Sequence, residues 1–116
     1  MRHIGIVTNN IDEMIKFYQG LGFVIIEDRI ENGYDLDRIL GLPDTIVRTV
    51  KMGELELLQF TNKGDKKFRN LNSNGLTHIA VNVDDITRYT HNYKVGKTKT
   101  GFIQDPDGNY VEVVNV

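Results

Sequence analysis

Two histidines and two glutamates recur at matched positions in this chain, and they are the residues best suited to chemistry. His3 opens the apolar run Ile4-Gly5-Ile6-Val7, and His78 opens Ile79-Ala80-Val81-Asn82-Val83. In both copies the histidine precedes an isoleucine, a small residue and a branched aliphatic, and an isoleucine follows eight positions after it (Ile11 and Ile86). Glu56 lies within Leu55-Glu56-Leu57-Leu58, and Glu112 within the similar Val111-Glu112-Val113-Val114. A carboxylate on a buried strand face is costly unless it is paired or bound to metal. Two imidazoles and two carboxylates suit a divalent transition metal such as Ni, Zn, Co, Mn or Fe. His3, Glu56, His78 and Glu112 are therefore the candidate metal ligands, with open positions left for a chelating substrate.

Plainer readings compete with this one. A lone strand histidine is more often satisfied or half-exposed than a ligand. Strand glutamates usually face water, and Glu54, two positions before Glu56, suggests a wet face. The doubled pattern is what favours the metal. His91 reads as a surface residue. Arg48, between apolar neighbours on a strand, has two readings, a contact to an anionic substrate group or an edge-exposed side chain. The cluster Lys63, Lys66, Lys67 and Arg69 reads as a solvated loop before it reads as a phosphate contact.

The elements that must position these residues follow from periodicity. Residues 2–8 alternate as a strand, with His3, Gly5 and Val7 on one face. Asn10 is the expected N-cap of a helix, with Glu13 three residues on. Ile11, Met14, Ile15, Tyr18 and Leu21 form its apolar stripe, and Gly20 and Gly22 bracket its end. Phe23 to Ile26 is predicted to begin a second strand that continues through residues 27–31. Asn32-Gly33 turns the chain into a helical turn carrying Leu36, Ile39 and Leu40. Strands follow from Ile46 to Met52 and from Glu54 to Phe60. Residues 61–75 are polar and basic, a linker. The second unit begins with a strand at 77–83 and a weaker helix from Ile86, capped by Asp85 and limited by Gly96. One strand from Lys99 to Gln104 and the turn Asp105-Pro106-Asp107-Gly108 lead into the last strand, 109–115.

The chain thus reads as two tandem β-α-β-β-β units, unit 1 over 1–60 and unit 2 over 76–116, with the second shortened. The histidine-to-glutamate interval is 19 residues shorter in the second copy, about one strand and its turns. Between Ile86 and Asp105 there is room for a helix and one strand, hardly for a helix and two strands.

Size and composition bound the rest. A chain of 116 residues is one domain by the usual prior. A net charge of −2 argues against a general hold on nucleic acid or anionic membrane. No apolar run approaches a membrane span, and the N-terminus lacks a signal-peptide pattern. There is no cysteine, which excludes disulfides, thiolate metal sites and cysteine nucleophiles. A cytoplasmic location is the default expectation.

The segments "HIGIVTNNIDEMIKFYQGLGF", "GELELLQF", "LTHIAVNVDDI" and "GFIQDPDGNYVEVV" resemble the vicinal oxygen chelate superfamily. That superfamily includes glyoxalase I, methylmalonyl-CoA epimerase, extradiol dioxygenases and bleomycin-resistance proteins. The pattern is most similar to the glyoxalase I and epimerase group. The resemblance implies an α+β fold with a curved, cup-like mixed sheet and helices outside it, a single glyoxalase-like domain over 1–116, and a homodimer. It implies His3, Glu56, His78 and Glu112 as metal ligands. Glu112 is the first candidate base and Glu56 the second, abstracting a proton alpha to a carbonyl of a small oxygenated substrate. The function it implies is a metal-dependent lyase or isomerase. A metal-free, antibiotic-sequestering module of the same fold is the alternative, and an Fe(II) extradiol-type dioxygenase using His3, His78 and Glu112 a further one.

Overall fold

The computed structural model describes residues 1–67, 70–91 and 97–115, with 93–95 described by backbone alone. The chain divides into two compact units, Met1–Lys66 and Lys67–Val116. The linker expected over 61–75 straddles that division and carries no helix or strand among its described residues. Arg69 and Gly96 lie outside the described residues.

Unit 1 runs β1 (Ile4–Val7), α1 (Ile11–Gly20), β2 (Glu27–Asn32), α2 (Tyr34–Leu40), β3 (Ile46–Met52) and β4 (Leu55–Phe60). Its four strands form one mixed sheet in the order β1-β4-β3-β2. The first strand pairs in parallel with the last, and β2, β3 and β4 are antiparallel neighbours. α1 buries four residues of the stripe foreseen for it, Ile11, Met14, Ile15 and Tyr18, while Leu21 is its half-buried C-cap, and it lies against β4. Leu55, Leu57, Val50 and Met52 on the helix face of the sheet are 0–2% exposed. Burial of such side chains stabilises by about 1.5–3 kcal/mol each. The cap differs from expectation. Asn10 makes no side-chain cap bond. The Ile11 amide instead donates to Oε1 of Gln59, at 2.9 Å, so β4 caps the helix it carries.

The second strand also starts later than its apolar content suggests. Phe23 to Ile26 lies outside it, and only the Ile26 amide reaches β3, at Lys51 O. The strand proper is Glu-Asp-Arg-Ile-Glu-Asn. It is the sheet edge, where charged residues discourage pairing with other chains.

Unit 2 runs β5 (His78–Val83), a 3-10 turn (Ile86–Arg88), β6 (Tyr93–Val95), β7 (Thr98–Gln104) and β8 (Tyr110–Asn115). Its sheet order, β5-β8-β7-β6, repeats unit 1. The fold is thus α+β, built from tandem βαβββ-like units with a mixed sheet in each, and the second is the shorter. What is lost is not a strand. The helix expected from Ile86 is a single turn, which frees residues for two strands before Asp105. Asp85 caps that turn as foreseen, accepting from the Thr87 amide. The Asp105-Pro106-Asp107-Gly108 turn is also present. Asp105 is buried, and its Oδ1 accepts from the amides of Asp107 and Asn109.

Gly101 explains how so short a crossing packs. A Cβ there would fall 2.6 Å from the His91 carbonyl oxygen and 2.6 Å from Thr90 Cγ2. The segment after the turn therefore lies directly on the β7 backbone, where a helix would need side-chain room. Ile86 is 1% exposed, and the turn that carries it lies against both β7 and β8.

Candidate functional site

Cross-strand partners share a sheet face, so the registers fix which residues accompany each glutamate. In unit 1, Gly5 pairs with Glu56, and His3, two residues before Gly5, shares that face. In unit 2, Ala80 pairs with Glu112, and His78, two residues before Ala80, shares that face. The offset is the same in both. Each small residue leaves space between its histidine and glutamate. The result is one pair per unit: His3 Nδ1 to Glu56 at 3.8 Å, and His78 Nε2 to Glu112 Oε1 at 3.4 Å. The glutamates are mostly covered, at 14% and 25% side-chain exposure, and the histidines less so, at 42% and 34%.

Donors on one ion, each about 2.0–2.2 Å away, stand roughly 3.0–3.5 Å apart at right-angle or tetrahedral geometry. The His78–Glu112 spacing fits that range and the His3–Glu56 spacing is slightly wide. Each pair has the chemistry of half a ligand set. Among the described residues no group of three or more His, Cys, Asp or Glu side chains is arranged to hold a metal.

The two pairs have different surroundings. Glu56 faces Lys51 across the ladder, and β2 adds Glu27, Arg29 and Glu31 to the same sheet face. Arg29 bonds Glu31 and Glu27. Its pKa is raised chiefly by the Glu31 hydrogen bond, with Glu27 and Glu56 adding their fields. Glu112 faces Phe102. The Thr100 hydroxyl donates to its Oε2. The His78 ring meets Phe102 edge-on at 5.1 Å, and its Nδ1 lies 3.0 Å from Thr77 Oγ1. Unit 1 thus offers a charged face and unit 2 a nearly neutral, partly aromatic one.

Arg48 falls on the helix face of unit 1, away from the His3–Glu56 pair. It bonds Asp28 on β2 at 2.9 and 3.1 Å and Asp12 on α1 at 3.0 Å. These bonds hold Asp28 below the usual carboxylate range and raise the arginine's own pKa. A cavity of about 140 Å³ beside it is lined by Ile30, Ile46, Arg48, Gln59, Phe60 and Thr61. The arginine that does share the face of Glu56 is Arg29, which the sequence reading passed over. Its signal was the alternation Glu27, Arg29, Glu31, three charges on one face of a strand. Thr100 and Thr49 were also missed. They occupy equivalent ladder positions, Thr100 opposite Val114 and Thr49 opposite Leu58. Aligning the strands that precede the two glutamates finds both.

Residues 2–95 match the family described as the Glyoxalase/Bleomycin resistance protein/Dioxygenase superfamily. The chain belongs to that superfamily. The matched region holds His3, Glu56 and His78 and ends before Glu112. Solved structures of the superfamily share its fold. A glyoxalase family protein from Bacillus cereus has a TM-score of 0.89 at 18% identity, over 99% of this chain and 92% of that one. A glyoxalase family protein from Enterococcus faecalis has a TM-score of 0.65 at 21% identity, over 99% and 96%. The trypanothione-dependent glyoxalase I of Leishmania major also has a TM-score of 0.65 at 21% identity, over 99% and 85%. No curated protein matches the sequence. No helix among the described residues is long and apolar enough to cross a membrane.

Proposed function

We propose that this superfamily member is a metal-dependent lyase or isomerase of the glyoxalase type, with His3, Glu56, His78 and Glu112 as the ligands of one divalent ion. The observation that carries the reading is the repeated pair, a histidine at the start of the first strand (His3 just before β1, His78 opening β5) and a glutamate on the last, at one offset in both units. A bound ion would act as Lewis acid on vicinal substrate oxygens. Glu112 is the preferred base for a proton alpha to a carbonyl, and Glu56 the second choice. Glu112 has neutral neighbours on its sheet face, and its Oε2 is already engaged by Thr100, which leaves Oε1 to receive the proton. Glu56 instead shares its face with the charged side chains Lys51 and Arg29. In this reading the units act as one domain, the substrate is small and oxygenated, and the protein is a homodimer.

Metal analysis of protein purified without chelator, with melting in added Ni, Co or Zn, tests this. The expected result is stoichiometric metal, lost in His78→Ala and Glu112→Gln. Metal-free protein whose melting ignores all three ions would sink it. A second reading, a metal-free ligand-binding module, is supported by the match to a superfamily whose description includes bleomycin resistance proteins. It expects an apolar ligand to raise the melting temperature, with His3→Ala leaving that rise intact.

A further inference from the structure

We propose that Thr100 is a positioning residue for Glu112, holding the carboxylate so that one oxygen alone is presented beside His78. The inference rests on the metal-ligand reading of Glu112. Thr100 lies on β7, is 5% exposed, and donates its hydroxyl to Oε2 of Glu112. The other oxygen, Oε1, faces His78 Nε2 at 3.4 Å. Thr77 Oγ1 stands at Nδ1 of the same ring. A chain of polar contacts thus runs from Thr77 through His78 and Glu112 to Thr100. A Thr77 oxygen that accepts from Nδ1–H leaves the Nε2 lone pair free for a cation, the usual arrangement behind a metal-binding histidine.

The β-branched Thr100 side chain has restricted rotamers, and its strand is paired with β6 and β8. Its hydroxyl is therefore a fixed donor. That hydrogen bond orients the carboxylate, so Oε1 is the oxygen turned toward His78. Unit 1 has a threonine at the equivalent position, Thr49, also buried. Among the described residues no hydrogen bond joins it to Glu56. The two glutamates are thus held differently, although the ladder around each is the same.

The test is zinc titration of the wild-type protein, Thr100→Val and Thr100→Ser, each checked for folding by circular dichroism. Valine keeps the shape and removes the donor, and serine keeps the donor. The expected result is about 10–100-fold weaker zinc binding in Thr100→Val, largely restored in Thr100→Ser. Equal affinity in all three overturns the positioning role. Wild-type protein that binds no zinc overturns the metal reading instead. The role of Thr100 is then decided on metal-free protein by the ring ¹⁵N shifts of His78. A change in Thr100→Val that is absent in Thr100→Ser supports it, and unchanged shifts in both overturn it.

Discussion

The two units solve one packing problem with unequal means. Each has a four-stranded sheet of the same order, with an apolar face opposite the histidine to be covered. Unit 1 covers it with α1, which places Ile11, Met14, Ile15 and Tyr18 side by side. Unit 2 covers it with one 3-10 turn, the buried Ile86, and backbone laid on Gly101. A helix spreads the burial over several side chains, so the loss of one leaves the others in place. A turn concentrates it on a single anchor. Sheet order and register around the glutamate are thus the same with the helix and without it.

Ile86→Ala is the strongest way to break this comparison. A cost of about 2–5 kcal/mol is expected, read by denaturant titration. Amide exchange should rise first in β7 and β8, while β3 and β4 stay protected. Met14→Ala carries a similar cost, but its loosening should be confined to unit 1. Equal deprotection of both units by either variant would show that they do not differ in this way. Gly101→Ala comes next, at about 1–3 kcal/mol, because its Cβ meets backbone. The control is Gly5→Ala, whose Cβ meets only Leu58 Cδ1 at 3.4 Å, and which should stay within about 0.5 kcal/mol of wild type.

Smaller effects sharpen the electrostatic side of the contrast. Arg48→Ala removes the exposed ion pairs that tie α1 to β2, and should cost less than about 1 kcal/mol, less still at high salt. The smallest effect is acid sensitivity. Asp28 is depressed by its Arg48 hydrogen bond, Asp37 by the Thr45 backbone amide, and Asp85 by Thr87. A depressed carboxylate stabilises the fold above its unfolded value, here 3.8, and that contribution is lost as pH falls through the folded value. Melting temperatures should therefore drop modestly below about pH 4. Two of these three groups lie in unit 1, and Arg48→Ala should remove the Asp28 share of the drop.

Much of this was legible because it is periodic. The spacing of Ile11, Met14, Ile15 and Tyr18 placed α1, and the doubled His and Glu placed both pairs on first and last strands. The misses share a cause, which is that propensity does not know what lies across the ladder. Phe23 to Ile26 has the residues of a strand, while the hydrogen bonds fall to the charged segment after it. Asn10 has the side chain of a cap, but Gln59 arrives from 48 residues away. The cap at Asp85 predicts a helix from Ile86 toward Gly96, but the contact that forbids its bulk, at Gly101, is nonlocal. Arg48 draws attention in a string of letters because apolar neighbours flank it, and Arg29 does not. Only the β2–β3 register puts one on the helix face and the other beside Glu56.

The parallel pairing of first and last strand has a kinetic consequence. The β3–β4 hairpin forms across the tight turn at Gly53, so it closes with little loss of chain entropy. The ladders β1–β4 and β5–β8 join the most distant parts of their units, and such nonlocal pairings are slow to form. His3 meets Glu56, and His78 meets Glu112, only when those ladders close. The candidate chemistry therefore depends on the longest-range pairing of each unit, and the imidazole of either histidine is expected to report, in a refolding experiment, the moment its ladder closes.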